Sequence, residues 1–458
     1  MERERLKSRL GFIMLSAGCA IGVGNIWRFP YVVGNNGGGI FVLFYIICLL
    51  IFGVPLLTME YSIGRASGKS ITCAYDELKP DKKAWSFHGT FSHIASYILM
   101  MYYSVISSWM GFYFFKYLTG TGTDGTTSAD FKAEFDTLLS DPVTMGIVTF
   151  IMIAAGFFIC SMGLQNGVER ITKVMMTALL GLIVILAVHS VTLPGGAEGI
   201  KFYLLPNLDH IKEHGLFSVL VAAMNQSFFT LSLGFGSMMI FGSYMDKEKN
   251  LMGESITVAG LDTFVAFTAG LIIFPACFAY NVNPDSGPNL VFITLPNVFS
   301  NMNGGRIWGT LFFLFMTFAA LSTLIAVFEH IMACCMDKFG WSRKKASIIN
   351  FLIITIGSVP CVLGFNVLSF VQPLGAGSTI LDFEDFLISN LALPIGSLII
   401  LLFCTVKGGW GYKNFLKEAN SGTGMKMPEN KWVQRYLTYV VPVLVVVLIV
   451  VGVIDVFT

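Results

Sequence analysis

A chain of 458 residues that is 55% hydrophobic, 12% charged and formally +1 stands far from the soluble globular norm of about 25% charged residues. Apolar runs of about twenty residues recur along it, which excludes a soluble enzyme and marks a polytopic helical protein of the lipid bilayer. Nothing in the charge pattern calls for a nucleic-acid partner.

Eleven spans are expected, at 10–35, 39–65, 88–119, 143–163, 167–191, 215–243, 253–281, 306–337, 345–365, 381–406 and 434–456. The basic start, Met1 to Arg9, leads straight into span 1 with no small-residue cleavage pattern, so that span is expected to stay as an anchor. With the N-terminus cytoplasmic, the inside segments are 1–9, 66–87, the turn between spans 4 and 5, 244–252, 338–344 and 407–433. Together with their flanks they hold all but six of the 29 Lys and Arg residues. The exceptions are Arg28, Lys116, Lys132, Lys201, Lys212 and Arg306. This asymmetry predicts a multi-pass plasma-membrane protein with its C-terminus outside.

Span 1 is unusual. It holds Ala17-Gly18-Cys19-Ala20-Ile21-Gly22-Val23-Gly24-Asn25, with Arg28 close behind. Gly costs a helix about 1 kcal/mol relative to Ala, and Arg near mid-membrane costs about 2.5 kcal/mol or more. A break is expected here, its freed carbonyls lining a cavity. Span 6 is interrupted in the same way between Gln226 and Gly236. Breaks five spans apart suggest two inverted five-helix repeats, 10–191 and 215–406, followed by span 11 at 434–456, with the ligand at the breaks. Close helix packing is the other use of Gly234 and Gly236.

Of the connections, 195–214 and 282–305 are long outer loops. Leu290 to Phe299 is expected as a short helix over an outer vestibule, and 119–141 as a solvated loop. The nine cysteines show neither zinc nor disulfide spacing. Most lie within apolar runs as small buried hydrophobes. His88, His93, His189, His210, His214 and His330 form no ligand pattern, and Gly22-Val23-Gly24 follows no strand, so it is no dinucleotide motif. No enzyme chemistry is legible.

The strings Gly24-Asn25-Ile26-Trp27-Arg28-Phe29-Pro30-Tyr31, Asn36-Gly37-Gly38-Gly39 and Phe228 to Gly236 resemble the neurotransmitter:sodium symporter family. Phe292 to Pro296 and Ser342 to Lys345 strengthen the likeness, which covers essentially the whole chain. Eleven spans rather than the twelve of animal members suggest the bacterial amino-acid-transporting branch. The resemblance implies the leucine-transporter-like architecture with broken helices 1 and 6, and two sodium sites. The first would use Ala20, Asn25 and Thr230 with Asp262, where the family usually has Asn. The second would use Gly18, Ile21 and Ala319 carbonyls with Ser322 and Thr323 hydroxyls. Back-bonding to the preceding turn is the plainer role for those two hydroxyls.

A carboxylate within span 7 is expensive and points to function. Animal members place chloride nearby, so Asp262 implies chloride-independent transport. Monoamine members carry an Asp where this chain has Gly22, so the substrate is expected to bring its own carboxylate to a half-helix end, with Tyr103 as donor. Carbonyls near Cys19, Phe229 and Ser232 would take the amine. Leu99, Phe229, Phe235 and Val327 would line an apolar pocket, with Gly234 and Gly236 leaving room, and Gly24 counts among the substrate-binding residues. A neutral hydrophobic or aromatic amino acid follows.

Arg28 with Asp385, Asp382 and Glu384 being rival partners, would form an outer gate. Arg3 with Asp337 resembles the family's inner latch, with Tyr244 and Glu329 nearby. Glu60 is expected to accept backbone amides freed in span 6. Leu6, where the family has Trp, suggests a loosely held N-terminus, and Thr177, where it often has Pro, puts unwinding of span 5 in doubt. The reading that follows is sodium-driven amino-acid import; a non-transporting amino-acid sensor of the same fold is the alternative.

Overall fold

The structure, a computed structural model, describes residues 4–121, 127–206, 215–280, 282 and 287–457. Its regular structure is helical, with isolated bridges such as Gly38 to Pro206 but no strand among the described residues. Among the described residues, nine helices are long and apolar enough to cross a membrane: Gly39–Ser67, Lys83–Thr119, Pro142–Ser161, Leu164–Val191, Leu251–Ala279, Gly305–Phe339, Arg343–Leu363, Ile380–Thr405 and Lys431–Ile454. A tenth is bent by 67° between Arg9–Ala20 and Val23–Asn35. The expected span 6 is split into Leu216–Thr230 and Ser237–Ser243. Each expected span thus has its helix, and most ends fall within three residues of those read from hydrophobicity.

Span 8 threads the centre, with every residue from Ser322 to Cys335 buried. Both sides of the break in span 1 and the second half of span 6, Ser237–Ser243, pack against it. The short helix expected here forms at Leu290–Ser300, with Leu290 to Phe299 buried. Its Phe292 packs 4.9 Å from the ring of Tyr113 and 5.8 Å from that of Trp109. Asn207, His210, Lys212, His214 and the turn Asn283 to Asp285 lie outside the described residues.

One expectation is corrected. Segment 119–141 is not simply a solvated loop. Ser128–Ser140 is a helix capped by Thr127, and it buries Phe131, Phe135 and Leu138. Those residues fall at i, i+4 and i+7, one stripe of a helix, and Phe135 stacks on Phe292 at 4.7 Å. The Gly- and Thr-rich start of the segment hides that stripe. In span 5, Thr177 sits in regular helix, its hydroxyl donating to Lys173 O at 2.8 Å. The irregular turn lies earlier, at Leu164–Glu169, after Gly163.

Candidate substrate and ion site

The first break forms at Gly22, where the backbone runs extended, at φ −124° and ψ −169°. The amides released there find side chains: Gly22 N–H donates to Asn25 Oδ1 at 3.0 Å and Val23 N–H to Tyr103 Oη at 3.3 Å. Span 6 stops at Thr230 and restarts at Ser237. Between them Ser232 has φ +50° and Gly234 φ +102°, the first uncommon for a side chain and the second natural to glycine. Glu60 Oε1 accepts from Gly234 N–H at 2.6 Å, the role expected of it.

Two oxygen clusters meet at these breaks. Ser322 Oγ lies 3.1 Å from Gly18 O and 2.9 Å from Ala319 O. Thr323 Oγ1 lies 3.1 Å from Gly18 O, 3.3 Å from Ile21 O and 3.3 Å from Ala319 O. Both hydroxyls do back-bond to Ala319, but both also reach across to span 1. In the other cluster Asn25 Nδ2 donates to Asp262 Oδ1 at 2.7 Å, and Thr230 Oγ1 donates to Asp262 Oδ2 at 2.6 Å. Asp262 is fully buried. Ala20, the last residue of the first half-helix, lines the adjoining cavity.

That cavity, about 280 Å³, is lined by Cys19, Gly22, Gly24, Leu99, Tyr103, Phe229, Ser232, Phe235 and Val327 among others. Gly22 faces its polar end: a Cβ there would lie 3.0 Å from Tyr103 Oη and 3.3 Å from Thr323 Oγ1. Ile106, Trp109, Ser237 and Ile388 also line it; no motif pointed to them, since only tertiary packing turns them inward. Gly234 and Gly236 are corrected. They leave no room for ligand but admit neighbours, since a Cβ at Gly234 would meet Leu393 O at 2.3 Å and one at Gly236 the Ile71 side chain at 2.6 Å.

Comparison with known proteins places this geometry. The profile described as the sodium:neurotransmitter symporter family matches residues 3–134 and 132–458. The chain belongs to that family. A sodium-dependent transporter of Bacillus subtilis, YhdH, is 35% identical over 400 residues, covering 87% of each chain. One of Haemophilus influenzae is 32% identical over 456 residues, covering 98% of this chain and 97% of its own. The crystal structure of MhsT in complex with L-phenylalanine superposes with a TM-score of 0.86 at 36% identity, over 98% of this chain and all of that one. The sodium:neurotransmitter symporters are membrane transporters, not enzymes, and depend on sodium.

Within this symporter fold the expected gates are only partly assembled. Arg28 does not pair with Asp385. Its guanidinium carbon lies 4.0 Å from the centre of the Phe229 ring, while Asp385 Oδ1 accepts from Tyr102 Oη at 2.9 Å and Ser389 Oγ at 2.8 Å. Nor do the rival carboxylates take Arg28: Asp382 caps its own helix through Thr379, and Glu384 accepts from Cys361 Sγ at 3.0 Å.

At the other end Tyr244 Oη donates to Glu329 Oε1 at 2.7 Å, as expected. Sequence reasoning missed the main partner, Arg343, whose two terminal nitrogens lie 2.7 and 2.9 Å from the Glu329 carboxylate. A carboxylate inside the apolar run of span 8 was itself a signal that a cation must reach it. Arg3 lies outside the described residues; Asp337 Oδ2 accepts from Ser70 N–H at 2.6 Å. The N-terminal segment is held by polar contacts rather than a large aromatic residue. Arg343 contacts Glu4 at 3.1 Å, the Ser8 hydroxyl donates to Glu169 at 2.9 Å, and Arg9 pairs with Glu254 at 2.8 Å.

Proposed function

We propose that this symporter imports a neutral hydrophobic or aromatic L-amino acid, driven by two sodium ions and without chloride. The observation that carries the reading is the convergence of five uncharged oxygens, from Gly18, Ile21, Ala319, Ser322 and Thr323, beside a mostly apolar cavity. A monovalent hard cation suits such a set, because neutral oxygens replace its water without binding it too tightly to leave. The first sodium would sit among Ala20, Asn25, Thr230 and Asp262. There the Asp262 carboxylate supplies the fixed negative charge that chloride supplies elsewhere.

Gly22 supports a substrate that brings its own carboxylate, since its missing side chain leaves the Tyr103 hydroxyl and the start of the second half-helix open to it. The amine goes to carbonyls near Cys19, Phe229 and Ser232, and the apolar side chain to Leu99, Phe229, Phe235 and Val327. MhsT, the relative solved with L-phenylalanine, supports that class. The cycle alternates between an Arg28–Asp385 closure on the outer side and the Glu329–Arg343–Tyr244 closure on the cytoplasmic side, with the N-terminus cytoplasmic and the two five-span repeats moving against each other. An inward sodium gradient and membrane potential drive it, at about 2.3 kcal/mol per charge per 100 mV.

Equilibrium binding of labelled L-phenylalanine and L-leucine to the purified protein tests the reading. Binding that needs sodium and is unchanged in chloride-free gluconate is expected. Sodium-independent binding, or binding abolished by gluconate, contradicts it.

A further inference from the structure

His88, near the start of span 3, is 1% exposed and plays no part in the roles above, yet both its ring nitrogens are engaged. Nδ1 lies 2.6 Å from Tyr75 Oη and Nε2 2.9 Å from Ser92 Oγ. Ser92 Oγ in turn reaches 3.4 Å to the carbonyl oxygen of Gly234, the residue whose N–H Glu60 holds. The donor directions follow from the far end. A carbonyl only accepts, so the Ser92 proton goes to Gly234. The Ser92 oxygen then accepts from His88 Nε2–H, and Nδ1 of the neutral ring accepts from Tyr75 O–H. A one-way chain therefore runs from the short helix Ile71–Leu78 to the middle of the span 6 break.

Ser92 is set apart from the other buried serines of its helix. Ser96, Ser104 and Ser107 turn their hydroxyls back to the carbonyl four residues earlier, and Ser108 to the one three earlier, the usual habit of a serine within a helix. Ser92 instead crosses to span 6, with His88 one turn before it as donor. Gly234, held by Glu60 and Ser92, is also wedged against span 10, where a Cβ at Gly396 would lie 2.2 Å from its carbonyl oxygen. Ser232 and Phe235, on either side of it, line the cavity.

We propose that His88 is a positioning residue for substrate binding: its Nε2–H orients the Ser92 hydroxyl onto the Gly234 carbonyl and so fixes the segment that carries Ser232 and Phe235. This rests on the reading of the breaks as the amino-acid site.

The test is sodium-dependent amino-acid uptake by wild type, His88→Gln, His88→Phe, Ser92→Ala and the His88→Phe/Ser92→Ala double variant. The Gln amide keeps a donor at the reach of Nε2, so its KM stays within about twofold of wild type. His88→Phe and Ser92→Ala each raise KM about three- to tenfold, the scale of one buried hydrogen bond. The double variant is no worse than the worse single one, because both break the same chain. Equal effects of Gln and Phe, or additive effects in the double variant, overturn the proposal in favour of simple packing. Nitrogen-15 NMR of the His88 ring in the wild-type protein decides separately. The neutral Nε2–H form is expected; an Nδ1–H form or an imidazolium overturns the chain of donors. Absence of uptake by wild type would count against the transport reading, and the ring measurement would still decide the role of His88.

Discussion

Arg28 rests over Phe229, 4.0 Å from the ring centre, while the carboxylate expected to receive it, Asp385, is held by Tyr102 and Ser389. A cation over an aromatic face gains about 0.5–2 kcal/mol, which offsets only part of the cost of an Arg without an ion pair near mid-membrane. In the proposed cycle the pair forms at the closing step. Asp385→Asn is therefore expected to lower the maximal transport rate about tenfold or more while changing KM little. A large rise in KM at unchanged maximal rate would mean that Asp385 acts on the bound ligand instead.

The hydroxyls of Ser322 and Thr323 are two of the five oxygens drawn together at spans 1 and 8. Thr323→Val keeps the shape and removes the oxygen; Ser322→Ala removes the other. Each should raise the sodium concentration for half-maximal transport about three- to tenfold, the worth of one polar ligand. Sodium activation curves at saturating substrate check this. Unchanged curves would leave these hydroxyls with back-bonding alone.

At Gly22 even a methyl group has consequences. Its carbon would stand 3.0 Å from Tyr103 Oη and 3.3 Å from Thr323 Oγ1, closer than carbon and oxygen ordinarily pack. Gly22→Ala should raise KM at least about tenfold, a loss of about 1.4 kcal/mol or more, and Gly22→Asp should damage recognition of a carboxylate ligand further. In wild type, phenylethylamine, the amine without the carboxylate, should fail to displace bound amino acid. Displacement comparable to that by phenylalanine would remove the carboxylate from this position.

The Glu329–Arg343 pair is largely buried, its side chains 1% and 15% exposed. Removing one partner of a buried pair costs about 3–5 kcal/mol, because the other is left uncompensated. Glu329→Ala should lower the thermal midpoint, and Glu329→Ala with Arg343→Ala should recover part of the loss. Arg343 also donates to the carbonyl of Cys160 at 3.1 Å, so the single variant should speed alkylation of Cys160, followed by mass spectrometry.

Much of this architecture was legible in the sequence because a bilayer enforces it. Apolar runs of fixed length gave the spans, and glycine with buried polarity marked the breaks at Gly22 and Ser232. Glu60 was assigned correctly because a carboxylate buried beside a break has few other uses. What remained hidden depended on which side chain turns inward. Arg343 heads a basic run, Arg343-Lys344-Lys345, and sequence alone does not say which of the three reaches Glu329. The helix Ser128–Ser140 has only three buried positions behind a stretch of Gly and Thr. Gly234 and Gly236 were misread as space for ligand because the chain does not reveal that Leu393 and Ile71 already occupy those approaches.

The account turns on flux. In proteoliposomes, labelled phenylalanine or leucine should accumulate only under an inward sodium gradient, faster with an inside-negative potential, and equally well when gluconate replaces chloride. Sodium-dependent binding without accumulation would make the chain a sensor, and accumulation that ignores sodium or fails without chloride would contradict the coupling assigned to Asp262 and the five-oxygen cluster.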